Sequence, residues 1–233
     1  MKLLQVLLLG LFFLAGHAAQ CAEPSARPNV LFIVIDDLRP EVGCYGNNRV
    51  LTPHIDRLAR TGMVFTRAYC QYAICWASRA SVLTGYRPDR ISKKAAHDLR
   101  RYMPKVLSLP QHFRNHGYDT ISIGKVYHGN QDKPGWTEVS PVRRPYYADP
   151  KMLAYQEERR KEAERLGITK PLDLYHYTIG PPVECIDVPD NAYADGAWAD
   201  EAIRQLRRPR NRPFFLAVGF IKPHLPFCAP KKY

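Results

Sequence analysis

The run from Pro213 through Phe214-Phe215-Leu216-Ala217-Val218-Gly219 to Phe220 constrains the fold of this 233-residue chain more than any other stretch. An apolar run this short and unbroken reads as a strand covered on both faces, and such strands belong to parallel sheets with helices above and below. Two further runs, Asn29 to Ile35 and Tyr118 to Ile123, also read as strands. Helix-like segments separate them. Thr52-Pro53 opens one through Leu58-Ala59, with a hydroxyl cap, proline at the first helical position and Gly62 as a stop. Leu109 to His116 forms another, closed by Gly117, and Asp190 caps a longer one carrying Trp198, Ala202, Ile203 and Leu206. Met63 to Phe65 reads as a short strand. The alternation predicts an α/β domain with a mostly parallel central sheet and helices on both faces. Residues 129–189 are rich in proline and tyrosine, have weak periodicity and hold one charged helix near 150–166. They read as an insertion over the domain.

Each strand-like run ends in polar residues. Ile35 leads to Asp36-Asp37, Ile123-Gly124 to Lys125-Val126-Tyr127-His128, and Phe220-Ile221 to Lys222-Pro223-His224. Open α/β sheets bind ligands beyond the carboxyl ends of their strands, so parallel neighbours would put all three clusters on one rim. Cys75 joins them if it opens a helix, where the positive helix end and Arg79 one turn on favour a reactive group. Paired aspartates at a strand tip offer hard oxygens to Ca²⁺ or Mg²⁺. The plainer alternatives are a buried structural cysteine and aspartates that only shape a turn.

The stretch Cys75-Trp76-Ala77-Ser78-Arg79 with Leu83-Thr84-Gly85, together with Asp36-Asp37, resembles the sulfatases. In that family the signature cysteine is oxidised to formylglycine. Ala77 stands where the family pattern usually has proline, a departure that bears on the route of maturation. Asp36-Asp37-Leu38-Arg39-Pro40, Gly124-Lys125-Val126-Tyr127-His128, Lys222 to Phe227 and Ile186 to Pro189 resemble the subgroup acting on 2-O-sulfated uronic acid.

The resemblance implies the alkaline-phosphatase-like fold and a set of roles. Asp36, Asp37 and the modified Cys75 would hold Ca²⁺, with Mg²⁺ as the alternative. Arg79 would hold the formylglycine hydrate and Lys125 would bridge it to the sulfate. His224 would protonate the departing sugar oxygen or bind the sulfate edge, and His128 would take the proton from the second hydroxyl. The implied partners are a sulfated carbohydrate and a formylglycine-generating or sulfatase-maturing enzyme. A phosphodiesterase or phosphonate monoester hydrolase of the same superfamily, and a non-catalytic glycan-binding fragment, are the alternatives. Residues 28–233 match the N-terminal part of such a catalytic domain. A further metal-binding pair, a second lysine and a C-terminal subdomain would lie beyond it, so the chain alone is expected to be incomplete.

Residues 1–22 read as a secretory signal: Lys2, an apolar run from Leu3 to Leu14, and small residues around Ala18 to Ala22. Gln20 directly before Cys21 argues against a lipoprotein anchor, so the expectation is an exported chain without a stable membrane anchor. With no N-glycosylation sequon, a periplasmic or secreted enzyme is favoured over a lysosomal one. Export permits disulfides, and Cys44, Cys70, Cys185 and Cys228 allow three pairings. The formal charge of +12 suits a polyanionic partner. No nucleic-acid motif accompanies it, so no nucleic-acid partner is expected.

Overall fold

The computed structural model describes residues 27–130 and 132–233. The secretory-signal reading of residues 1–22 lies outside the described residues. Among the described residues there are six strands: β1 (Val30–Ile35), β2 (Asp119–Gly124), β3 (Glu138–Val139), β4 (Val183–Ile186), β5 (Phe214–Phe220) and β6 (Phe227–Pro230). Strands β1, β5, β2 and β3 form a parallel sheet in that order, and β4 pairs with β6 in a second parallel sheet. The helices are α1 (Pro53–Thr61), α2 (Cys75–Thr84), α3 (Lys93–His97), α4 (Leu99–Tyr102), α5 (Leu109–Asn115), α6 (Pro150–Arg165), α7 (Pro171–Thr178) and α8 (Ala194–Arg207).

The long apolar run becomes β5, flanked by β1 and β2. Its alternate residues serve opposite layers, as the two-residue period of a strand requires. Phe215 stacks on Phe113 of α5 with ring centroids 4.4 Å apart, and Trp136, Leu83 and Tyr118 complete that layer. Leu216 and Val218 point the other way, with Ile121 and Ile123, against Trp198 and Ala202 of α8. The second layer stops short of β1, where Leu31 and Ile33 are exposed.

Three local expectations differ from the structure. Met63 to Phe65 is irregular and exposed, because no neighbouring strand pairs with it. Asp190 begins a 3₁₀ turn through Ala192, and the helix proper starts at Ala194 without a side-chain cap. The Thr52 hydroxyl does not cap α1. It accepts from the Gly43 N–H at 2.9 Å and donates to Asp56 at 3.1 Å, tying the turn after β1 to the helix. Residues 129–189 do more than overlie the domain, since they contribute β3 to the main sheet and β4 to the second. The five described cysteines are unbonded. Cys185 lies opposite Ala229 and Cys228 opposite Glu184, so the two thiols sit on alternate faces, one exposed and one buried.

Candidate active site

Strand pairing puts the three polar clusters on one rim. The Asp36 N–H donates to the Phe220 carbonyl at 3.1 Å, and the Lys125 N–H to the Gly219 carbonyl at 2.8 Å. The second contact needs Gly219 itself: a Cβ there would lie 1.9 Å from the Lys125 carbonyl oxygen. Gly124, at φ +71, makes the matching turn out of β2.

Asp36 is the electrostatic centre. It is 4% exposed, its Oδ1 lies 3.2 Å from Arg79 Nη2, and its Oδ2 accepts from Lys125 Nζ. Burial pushes its carboxyl up, but the Lys125 hydrogen bond and the charges of Arg79 and Lys125 outweigh that and hold it below the ordinary carboxylate range. Asp37 takes the left-handed conformation at φ 57, which aspartate tolerates, and its carboxylate is 56% exposed. His224 Nε2 stands 4.0 Å from it.

Cys75 opens α2 and is partly exposed. Arg79, four residues on, shares its helix face. The Arg79 guanidinium reaches the loop after β2, donating through Nη1 to the carbonyls of Lys125 and of Val126, the latter at 3.2 Å. Its Nε and Nη2 are buried and make no hydrogen bond among the described residues, because the approach of Nη2 to Asp36 is out of line. A buried guanidinium with free donors has capacity for an anionic oxygen.

His128 is partly buried, and its Nδ1 likewise has no hydrogen-bond partner among the described residues. Burial, then His97, then Lys125 push its imidazole below the ordinary value, while Asp36 pulls the other way. The loop is anchored beneath by Tyr127, whose hydroxyl is 3.3 Å from Asp132. Asp132 is fully enclosed and also receives Arg100 and Ser108.

The residues that sequence reasoning singled out therefore fall into two groups on one rim. Asp36, Arg79 and Lys125 form one connected ionic group, and Asp37 faces His224. Asp36 and Asp37 are the hard-oxygen donors that Ca²⁺ or Mg²⁺ takes, so the donor chemistry fits such an ion. Among the described residues no group of three or more His, Cys, Asp or Glu is gathered. Lys222 shapes its own loop, as its position suggests, with Nζ donating to the carbonyls of Pro226 and, at 3.1 Å, of His224.

Sequence reasoning missed two residues. Asp195, half-buried in the first turn of α8, accepts from the backbone N–H of Ile221 at 2.9 Å and of Lys222 at 2.8 Å, fixing the exit from β5. His97 packs on His128. No local motif marks either, since both contacts are tertiary. Among the described residues, no helix is long and apolar enough to cross a membrane.

A sulfatase family model matches residues 28–233. The chain is 37% identical over 235 residues to an iduronate 2-sulfatase of Mus musculus, covering 97% of this chain and 41% of that protein. It thus spans about two fifths of the length of that relative. Among solved structures, a phosphonate monoester hydrolase of Agrobacterium radiobacter aligns with TM-score 0.56 at 24% identity, over 88% of this chain and 43% of that one. A 2-O GAG sulfatase aligns with TM-score 0.55 at 24% identity, over 85% and 35% respectively. These two likenesses establish a shared fold.

Proposed function

The chain belongs to the sulfatase family, and from that premise we propose that it carries the nucleophile half of a sulfuric ester hydrolase acting on a sulfated sugar. The substrate we infer is a 2-O-sulfated uronic acid in a glycosaminoglycan or algal polymer; the name of the Mus musculus relative supports the sulfated iduronate and the 2-position alone. One observation carries the reading. The buried Arg79 guanidinium, on the helix that Cys75 opens, has donors with no acceptor and sits against Asp36 and the Lys125 loop.

Formylglycine made from Cys75 would supply a hydroxyl nucleophile, and a cation held by Asp36 and Asp37, Ca²⁺ or Mg²⁺, would draw charge from the sulfate. The chain's own side chains do the rest. Arg79 and Lys125 bind anionic oxygens at the rim, Arg79 through its unpartnered Nε. His128 accepts a proton, for which a neutral imidazole is required. His224 delivers one to the departing sugar oxygen. General acid–base help of this kind is worth about 10²–10⁴-fold in rate. The reading also includes a maturing enzyme that oxidises Cys75 and an exported, periplasmic or secreted location.

The test pairs chemistry with mass. Protein coexpressed with a formylglycine-generating enzyme is assayed on the sulfate, phosphate and phosphonate esters of one alcohol and on a 2-O-sulfated uronide, while the Cys75 peptide is weighed. Turnover of the sulfate esters with an aldehyde at Cys75 is expected of a full-length catalytic domain carrying these residues, and little or none of the 233-residue chain by itself. Preference for the phosphonate would move the assignment to phosphonate monoester hydrolysis. Sulfate turnover by protein with an unmodified thiol would overturn the nucleophile.

A further inference from the structure

His97 is the last residue of α3 and touches the candidate active site twice. Its ring meets that of His128 edge to face, with centroids 4.6 Å apart and planes at 85°. Its backbone carbonyl accepts from the Asn130 N–H at 2.9 Å. The approach is close enough that a Cβ on Gly129 would lie 2.7 Å from that carbonyl oxygen. The next residue adds a third tie, Asp98 Oδ2 accepting from Asn130 Nδ2 at 3.2 Å. The helix is itself seated, because its Ala95 and Ala96 are buried with Ala80 of α2 and Ile91. One rigid connection therefore runs from the helix that carries Cys75, through α3, to the loop that carries His128.

We propose that His97 is a positioning residue for His128: its backbone fixes the loop, and its ring opposes a second positive charge beside it. This rests on the reading of His128 as a proton acceptor. The charged and titratable groups around His128 are His97 from α3, Lys125 from its own loop and Asp36 from the tip of β1. Lys125 and Asp36 neutralise each other in a direct ion pair. His97 is the neighbour from another element whose charge would oppose a proton on His128. Two imidazoles in contact resist carrying two protons, so His128 keeps its acceptor form further into the acid range than it would alone.

The experiment uses the whole chain and the variants His97→Phe and His97→Gln. Both remove the titratable neighbour, Phe keeping the flat ring and Gln the polarity. The His128 ring signals are followed by NMR across pH without substrate, assigned by their loss in His128→Gln. The midpoint is expected to move to higher pH in both variants. In turnover assays of a matured full-length catalytic domain carrying the same variants, kcat should fall more on the acid side of its profile than on the alkaline side, with KM little changed. A midpoint that stays in place in either folded variant overturns the proposal, as does an equal loss of kcat at every pH. The NMR shift does not depend on turnover. A shifted midpoint in protein that cleaves no sulfate ester would therefore uphold the coupling and remove the catalytic reading of His128 instead.

Discussion

Replacing Asp36 with asparagine asks whether the carboxylate at the tip of β1 is held there by attraction. Its side chain is 4% exposed and is shared by Arg79, also 4% exposed, and Lys125, 20% exposed. Asparagine keeps the shape and removes the charge, leaving the Arg79 guanidinium enclosed without a counter-charge. Removing one partner of a buried ion pair costs about 3–5 kcal/mol. Lys125 can turn its ammonium toward water, so the lower end applies, about 3 kcal/mol. In a chain of this length each kcal/mol moves thermal unfolding by roughly 2–4 °C, so Asp36→Asn should melt about 6–12 °C below the parent.

The assay is a circular dichroism melt in chelator, so that lost metal binding makes no contribution. Asp37→Asn is the control. Its carboxylate is 56% exposed and its φ of 57 suits asparagine, so a change within about 0.5 kcal/mol is expected. The opposite sign would refute the reasoning. If the two carboxylates repelled each other more strongly than the cations hold Asp36, Asp36→Asn would raise the melting temperature. The pH dependence has a definite direction. A carboxyl held below its unfolded value contributes stability that is complete above that value and lost as pH falls through the lower, folded one. The gap between parent and Asp36→Asn should therefore be full at neutral pH and narrow below about pH 4.

Three other outcomes are expected. Cys75→Ala should abolish turnover in a matured full-length catalytic domain carrying it, while leaving the melt within about 1 kcal/mol, since the side chain is partly exposed; retained turnover would sink the nucleophile assignment. Gly219→Ala should lower the urea midpoint by the equivalent of about 2–3 kcal/mol, because its Cβ would meet the Lys125 carbonyl at 1.9 Å; an unchanged midpoint would mean the strand exits part easily. Calcium at 100 times its dissociation constant should add about 2.7 kcal/mol to the stability of the parent and less to Asp37→Asn, and an equal gain in both would remove Asp37 from the cation site.

The sheet was legible because its inner strands are buried on both faces, and that leaves a mark in composition. Phe214 to Phe220 could be placed before any contact was known, and the parallel order of β1, β5 and β2 then put Asp36, Lys125 and Lys222 on one rim. Elements whose existence depends on a partner were harder to read. Met63 to Phe65 has the residues of a strand but nothing to pair with, and its side chains are exposed. Asp190 is a good capping residue, yet the chain after Pro189 takes a 3₁₀ turn first and the helix starts at Ala194. In the candidate site, Asp36, Arg79 and Lys125 could be singled out because each belongs to a local pattern. His97 and Asp195 belong to none. Their contacts, to a loop about thirty residues away in one case and twenty-six in the other, exist only once the helices have packed.

The order β1-β5-β2 also sets a schedule. Asn29, at the entry to β1, accepts from the Phe214 N–H 185 residues later in the chain. Until β5 is made, β1 and β2 have no strand between them and the rim that unites Asp36 with Lys125 does not exist. At about 5–20 residues per second, synthesis leaves β1 waiting roughly 10–40 s for its partner. Pairings this distant in sequence also fold slowly, since the loop must close before any contact repays it. Throughout that interval Leu31, Phe32 and Ile33 remain open to any other strand they meet. The ionic cluster at the rim is thus a late product of folding, and a cell making this chain must keep β1 unpaired until β5 arrives.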